Sequence, residues 1–223
     1  MKYQLLRNCA HGSKIYTLRV EEPVQEYYIK SSSVVEGLKN INQEYNGWCW
    51  YYKNNNSLEK NPANFLVLKK NYAKLKISAF KGEKISIRNG IRKNYNYLLK
   101  VVNHYQEIWN SNSNNKVSMH GDLSLDNILF KNDRAFFIDW EHFNIDCTFW
   151  GFDIFYLLYE TLWFNWRNIK KFRNDEILFI SKLIKVLYSN LHLNHKNYTL
   201  SFLLKFIREN SQLWADQLLN NSN

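Results

Sequence analysis

Proline is almost missing from this chain of 223 residues, with two, and glycine is scarce, with seven. Collagen-like, low-complexity and disordered architectures are thereby excluded. Cysteine is as sparse: Cys9, Cys49 and Cys147 lie far apart, are odd in number and form no CxxC pair, so neither a disulfide framework nor a thiolate metal site is indicated. A reducing compartment fits that usage. No apolar run of membrane-spanning length occurs, and the opening MKYQLLRNCAHG has no long apolar core of a signal peptide. The expectation is a soluble, cytoplasmic protein.

What the chain has in quantity is aromatic: eight Trp, 15 Tyr and 14 Phe, within 45% hydrophobic residues. That is ample apolar area for one or two compact domains. The formal charge is +10. An anionic partner would suit it, yet the lysines are scattered singly, and Asn, Lys, Ile, Tyr and Phe are abundant together as a bias of the whole composition. Nucleic-acid binding is therefore not expected.

Residues 1–82 read as short alternating segments around one helix. MKYQLLRN, KIYTLRV and EYYIKSS are strand-like. Ser31 to Ser33 offer an N-cap for a helix from about Val34, with Leu38, Ile41, Tyr45 and Trp48 on one face. NFLVLKKN and KLKISAF follow as two more strands. From residue 83 the character changes: Tyr97, Leu98, Val101, Tyr105 and Ile108 recur at helical spacing, and amphipathic helices are expected from Phe149 to the end. An α+β chain with two parts, 1–82 and 83–223, is the result.

The segment His120-Gly121-Asp122-Leu123-Ser124-Leu125-Asp126-Asn127, followed by Phe136-Phe137-Ile138-Asp139-Trp140-Glu141, carries the chemistry. Ile128 to Phe130 and Ala135 to Ile138 flank the polar turn KNDR, a hairpin signature. Pairing Phe130 with Ala135 sets Asn127 opposite Ile138 and brings Asn127 and Asp139 out at the open end. Such oxygen donors suit Mg²⁺, which takes one or two carboxylates and leaves other positions to water and phosphates. Asp122, on the loop entering the hairpin, could accept a hydroxyl proton beside that metal. Singly, Asp122, Asp126 and Asn127 are commonplace turn-formers; the set at these offsets is not.

HGDLSLDN followed by FFIDWE resembles the catalytic and metal-binding loops of the aminoglycoside phosphotransferase and choline kinase family, which shares the protein-kinase fold. The resemblance implies a bilobal fold, with a small antiparallel-sheet N-terminal lobe carrying one helix and a mainly helical C-terminal lobe. It implies ATP and Mg²⁺ as cofactors, Asp122 as catalytic base, and Asn127 and Asp139 as metal ligands. It also implies a strand Lys on the ATP phosphates, matched by Lys30, and a helix Glu that holds it, matched by Glu44, with Glu36 as the alternative. Asn8-Cys9-Ala10-His11-Gly12-Ser13 stands where protein kinases carry GxGxxG, so Ser13 and nearby amides would meet the phosphates. Ser78, Ala79 and Phe80 match the hinge against which adenine lies, or are simply a strand running into a turn at Gly82.

Trp150-Gly151-Phe152-Asp153 precedes a helix, and Asp153 resembles the structural Asp that holds the catalytic-loop backbone; a plain helix N-cap is the other reading. Trp140, Trp150, Trp163 and Trp166 could cage a quaternary ammonium, but aromatics at such spacing are more often core. Glu141, Asp146 and Glu160 are the acidic residues available to a polycationic acceptor. His192 and His195 lack further ligands for zinc, and His142 reads as a loop residue. The function expected is transfer of the ATP γ-phosphate to a hydroxyl of a small molecule: a sugar or saccharide, a choline-like amino alcohol, or an aminoglycoside. A catalytically inactive kinase-fold binding or regulatory protein is the alternative.

Overall fold

The computed structural model describes residues 2–8, 14–56, 58–109, 117–148, 150–168, 178–179, 182–183 and 185–186. The architecture is α+β and divides into two compact units: residues 1–81 with 139–145, and residues 82–138 with 146–223.

In the first unit, β1 (Lys2–Asn8), β2 (Tyr16–Glu21), β3 (Glu26–Ser32), β4 (Ala63–Lys69) and β5 (Tyr72–Ser78) form one antiparallel sheet of order β1-β2-β3-β5-β4. Helix α1 (Val35–Asn54) packs against β3, β4 and β5. Its buried stripe is Gly37, Ile41, Glu44, Gly47, Trp48 and Tyr51. These spacings keep one side of a 3.6-residue helix. Leu38 and Tyr45, expected on that face, are only half-buried at its margins. The helix is capped differently from the expectation. Ser31 and Ser32 pair with Lys74 and Ala73 in the sheet, which leaves Val34 as N-cap without a side-chain cap. Ser32 Oγ accepts from Val34 N instead. Ladder hydrogen bonds across the sheet outcompete a local cap because each satisfies a backbone group that burial would otherwise orphan.

The segment 139–145 docks on α1 through Trp140, which is fully buried among Trp48, Trp50, Tyr51 and Phe143. Gly47 makes the approach possible: a Cβ there would lie 2.6 Å from the Cβ of Trp140 and 2.9 Å from that of Phe143. Gln43 Nε2 adds a hydrogen bond to the Phe143 carbonyl at 3.2 Å. Trp140 is thus core and not part of an aromatic cage. Trp150, in the other unit, is also buried and donates from Nε1 to the Trp109 carbonyl. The side chains of Trp163 and Trp166, and His192 and His195, lie outside the described residues.

In the second unit, α2 (Gly90–Ile108) buries Ile91, Leu98, Val101, Val102, Tyr105 and Ile108 and packs on α3 (Phe152–Asn168). The three-residue β6 (Val117–Met119) pairs with β9 (Asn144–Thr148), along which the chain passes back into this unit. Segments so short carry no periodicity, and the sequence showed neither as a strand. β7 (Ile128–Lys131) and β8 (Arg134–Phe137) pair with Phe130 opposite Ala135. The ladder extends to Lys131 opposite Arg134, so the turn is Asn132-Asp133 alone, both at positive φ. A two-residue type I′ connection demands that conformation, and Asn and Asp tolerate it. Gly82 makes no turn. It runs alongside β7, where Glu83 and Phe130 exchange both backbone hydrogen bonds at 2.8 and 2.9 Å, and a Cβ at Gly82 would come within 3.0 Å of Leu129 Cβ and the Phe130 carbonyl.

The hairpin turn is directly testable. Asp133 has φ 61 and an exposed ion pair with Lys100. Asp133→Asn keeps the tolerated backbone and should leave stability near that of wild type, since surface pairs contribute little. Asp133→Val should lose about 1 to 2 kcal/mol. Thermal melts of the two variants, if equally shifted, contradict the turn assignment.

Candidate active site

In the first unit, Lys30 lies on the same sheet face as the buried Leu75, and that face packs under α1. Burying an ammonium is costly unless it is paired. Lys30 Nζ is 2.7 Å from Glu44 Oε2 and 2.5 Å from Asp139 Oδ1. Glu44 is 2% exposed, the charged member of an otherwise apolar stripe. Glu36, its alternative, is exposed in the first turn of α1. Burial acts to lower the Lys30 pKa, but Asp139, Glu44 and Glu141 together outweigh it and drive the value well above the usual lysine range. Burial pushes the Glu44 carboxyl up, to about 7, against the pull of Lys30. Asp139 holds a left-handed backbone, φ 64, a conformation kept where surrounding contacts enforce it. Those contacts are the Trp140 anchor on one side and Lys30 on the other.

Three carboxylates around one ammonium leave an excess of negative charge in this cluster. Asp139, the half-buried member, is a hard oxygen donor of the kind a divalent cation takes. Among the described residues no group of three or more His, Cys, Asp or Glu is arranged to hold a metal ion by itself. Mg²⁺ does not need one, because it retains water and phosphate ligands.

In the second unit, the loop His120–Asn127 is organised from below by α3. Asp153 accepts from His120 N at 2.9 Å and Gly121 N at 3.0 Å, one bond per carboxylate oxygen. It sits at the second residue of α3 and aims at the loop, so loop anchoring and not helix capping is its role. Gly121 turns at φ 87, which a side chain would resist. His120 is fully buried; its Nε2 lies 2.9 Å from the Ile138 carbonyl and Asp122 N donates to its Nδ1 at 3.4 Å. A carbonyl can only accept, so this network assigns the proton to Nε2. Ile138 N in turn donates to the Asn127 carbonyl, continuing the hairpin.

Asp122 is half-buried and held at both oxygens. Asn127 Nδ2 donates to Oδ2 at 3.0 Å and to the Asp122 carbonyl at 2.8 Å. Tyr156 OH donates to Oδ1 at 3.1 Å. Holding Asn127 by its amide nitrogen turns its oxygen away from Asp122. Burial raises the Glu160 pKa, with the charge of Asp122 adding to it. Asp153, Tyr156 and Glu160 are spaced three and four residues apart on α3, one helix face directed at one loop. Tyr156 was not singled out from the sequence; its spacing from Asp153 was the signal for it.

At the hinge matched by Ser78, Ala79 and Phe80, two amides are already spent. Ser78 N donates to the Pro62 carbonyl and Ala79 N to the Glu26 carbonyl, both at 2.9 Å. An adenine edge can therefore take no hydrogen bond from these two. Phe80 stacks on Trp48 with ring centroids 5.7 Å apart. Ser13 and its loop lie outside the described residues.

No family model matches the sequence, and no curated protein matches it. Among solved structures, the chain is similar to WaaP in complex with acyl carrier protein, with 12% identity and a TM-score of 0.57, over 95% of this chain and 84% of that one. The likeness is one of fold.

The buried Asp153 carboxyl is pushed up to about 6, by burial first and against the two backbone donors. A carboxyl with a raised native pKa favours folding most when protonated in both states, and that contribution is lost as pH rises through the native value. An asparagine side chain cannot titrate, so the stability advantage of wild type over Asp153→Asn should be largest near pH 4 and shrink by about 3 kcal/mol toward pH 7. Urea unfolding across that range measures it; a gap that widens with pH contradicts the assignment.

Proposed function

We propose that the chain is an ATP- and Mg²⁺-dependent phosphotransferase of bilobal protein-kinase-like fold, of the aminoglycoside phosphotransferase and choline kinase kind, acting in the cytoplasm on a hydroxyl of a small molecule. A sugar or saccharide, a choline-like amino alcohol and an aminoglycoside are the acceptor classes. The observation that carries the reading is the Lys30 ammonium bonded at once to Glu44 and Asp139. A structural ion pair needs one carboxylate. A second, on a left-handed backbone next to a buried Trp anchor, is the arrangement phosphate and metal binding would use.

In this reading Glu44 holds Lys30, and Lys30 holds the phosphates of ATP. Asn127 and Asp139 would hold Mg²⁺, which when bound neutralises charge developing on the phosphates. Asp122 takes the proton as the acceptor oxygen bonds to the γ-phosphorus and the bond to the ADP oxygen breaks. Tyr156 and Asn127 keep that carboxylate oriented. Asp153, through the His120 and Gly121 amides, keeps the loop in place. Ser13 would contribute at the phosphates, and Phe80 would line the base.

The test is ADP release from ATP with Mg²⁺ across a panel of hydroxyl acceptors. Asp122→Asn should cut turnover by about 10² to 10⁴ while ATP affinity stays near wild type. Tyr156→Phe should lower kcat and shift its pH profile with KM for ATP unchanged. Wild-type turnover by Asp122→Asn sinks the assignment of the base.

Lys30→Ala and Glu44→Ala should each reduce catalysis, and their combination should be little worse than Lys30→Ala alone. Residues in direct contact are coupled in this way, typically by about 0.5 to 3 kcal/mol. A double-mutant cycle on kcat/KM reads the coupling, and strict additivity contradicts a shared role.

A further inference from the structure

Strand register sorts the sheet of the first unit into two unlike faces. Directly opposed residues point to the same side. One side holds Lys30, Ala73, Leu75 and Ile77, the side α1 covers. The other is crossed by a single row, Leu5, Leu18, Ile29, Lys76 and Phe65, taking one residue from each of the five strands. On this outer side Tyr3, Leu5, Tyr16, Phe65 and Tyr72 are 39 to 65% exposed. Exposed apolar side chains so grouped mark a contact surface more often than chance.

Charge on the two sides differs as sharply. The five strands contain two acidic residues, Glu21 and Glu26, which oppose each other on the Lys30 side. The outer side therefore carries no acidic strand residue. It carries Lys69, Lys74 and Lys76, with Lys76 Nζ set 3.8 Å over the Tyr27 ring. Lys70 follows in the exposed turn between β4 and β5.

We propose that this outer sheet face docks on an anionic lipid surface. Three features select that occupant. Tyrosine and lysine each pair an apolar body with a polar tip, which is what the headgroup level of a bilayer accommodates. The exposed apolar residues are spread over four of the five strands, β1, β2, β4 and β5, matching an extended surface. The strand residues of that face include three lysines and no acid, Glu22 of the β2–β3 turn reaching it only at the Tyr27 hydroxyl, within a chain of formal charge +10. No helix of the described residues is long and apolar enough to cross a membrane, so attachment would be peripheral. The inference does not depend on the phosphotransferase reading.

Co-sedimentation of the full chain with phosphatidylcholine vesicles, with and without about one-third phosphatidylglycerol, tests it. Binding should require the anionic lipid and fall with added salt. Lys69→Glu/Lys74→Glu/Lys76→Glu should weaken it on the order of 100-fold. Lys53→Glu/Lys60→Glu/Lys93→Glu, an equal charge change at exposed positions off the face, should weaken it far less. Hydroxyl-radical footprinting of the wild type, which needs no variant, should show Tyr3, Tyr16, Phe65 and Tyr72 protected on anionic vesicles. Absent wild-type binding, equal losses in the two triple variants, or unprotected aromatics would each overturn the proposal. So would self-association in the absence of lipid that the face variant abolishes, since a second copy would then be the occupant.

Discussion

A lysine ammonium placed inside the first unit constrains the rest of that unit. Lys30 is 13% exposed at its side chain, so it has lost most of its hydration and must recover the energy from carboxylates. Glu44 can supply one only if α1 presents that residue to the sheet, which fixes the rotation of the helix about its axis. Asp139 can supply the other only if its segment returns to this unit. Trp140 and Phe143 secure that return by packing into the aromatic cluster on α1, across a helix surface that Gly47 keeps bare. Helix rotation, the glycine and the aromatic anchor thus serve one electrostatic requirement.

The second unit solves a related problem with the opposite charge. Asp153 is buried completely, and two backbone amides replace its water. That substitution holds the loop at His120 and Gly121, from which Asp122 projects. The Asp122 carboxylate is then oriented by two neutral donors, Asn127 and Tyr156. In the first unit the buried ammonium is matched by charges of opposite sign. In the second the carboxylate is positioned by neutral side chains that fix its direction.

Local chemistry made much of this legible in advance. Alternation marked the five strands, helical spacing marked α2, and a short polar turn between apolar runs marked β7 and β8 with Phe130 opposite Ala135. The motif singled out Asp122, Asn127 and Asp139, and the family resemblance, applied in chain order, pointed to Lys30 and Glu44. All of these signals lie within a few residues of one another or follow from chain order. The misreadings arose where a distant segment intervened: Ser31 and Ser32 were drawn into the sheet away from the helix start, and Gly82 was required for contact with β7.

The sequence by itself determined the types of the longer elements, the hairpin register and the identity of the charged residues, because φ/ψ preference, periodicity and turn chemistry act over short stretches of chain. Only the tertiary structure decided which carboxylates Lys30 meets, that Tyr156 reaches Asp122, that Trp140 is core, and that the acidic residues of the sheet all lie on one side. Each of those depends on pairing between residues far apart in the chain, where burial and the satisfaction of polar groups choose among partners that local pattern cannot rank.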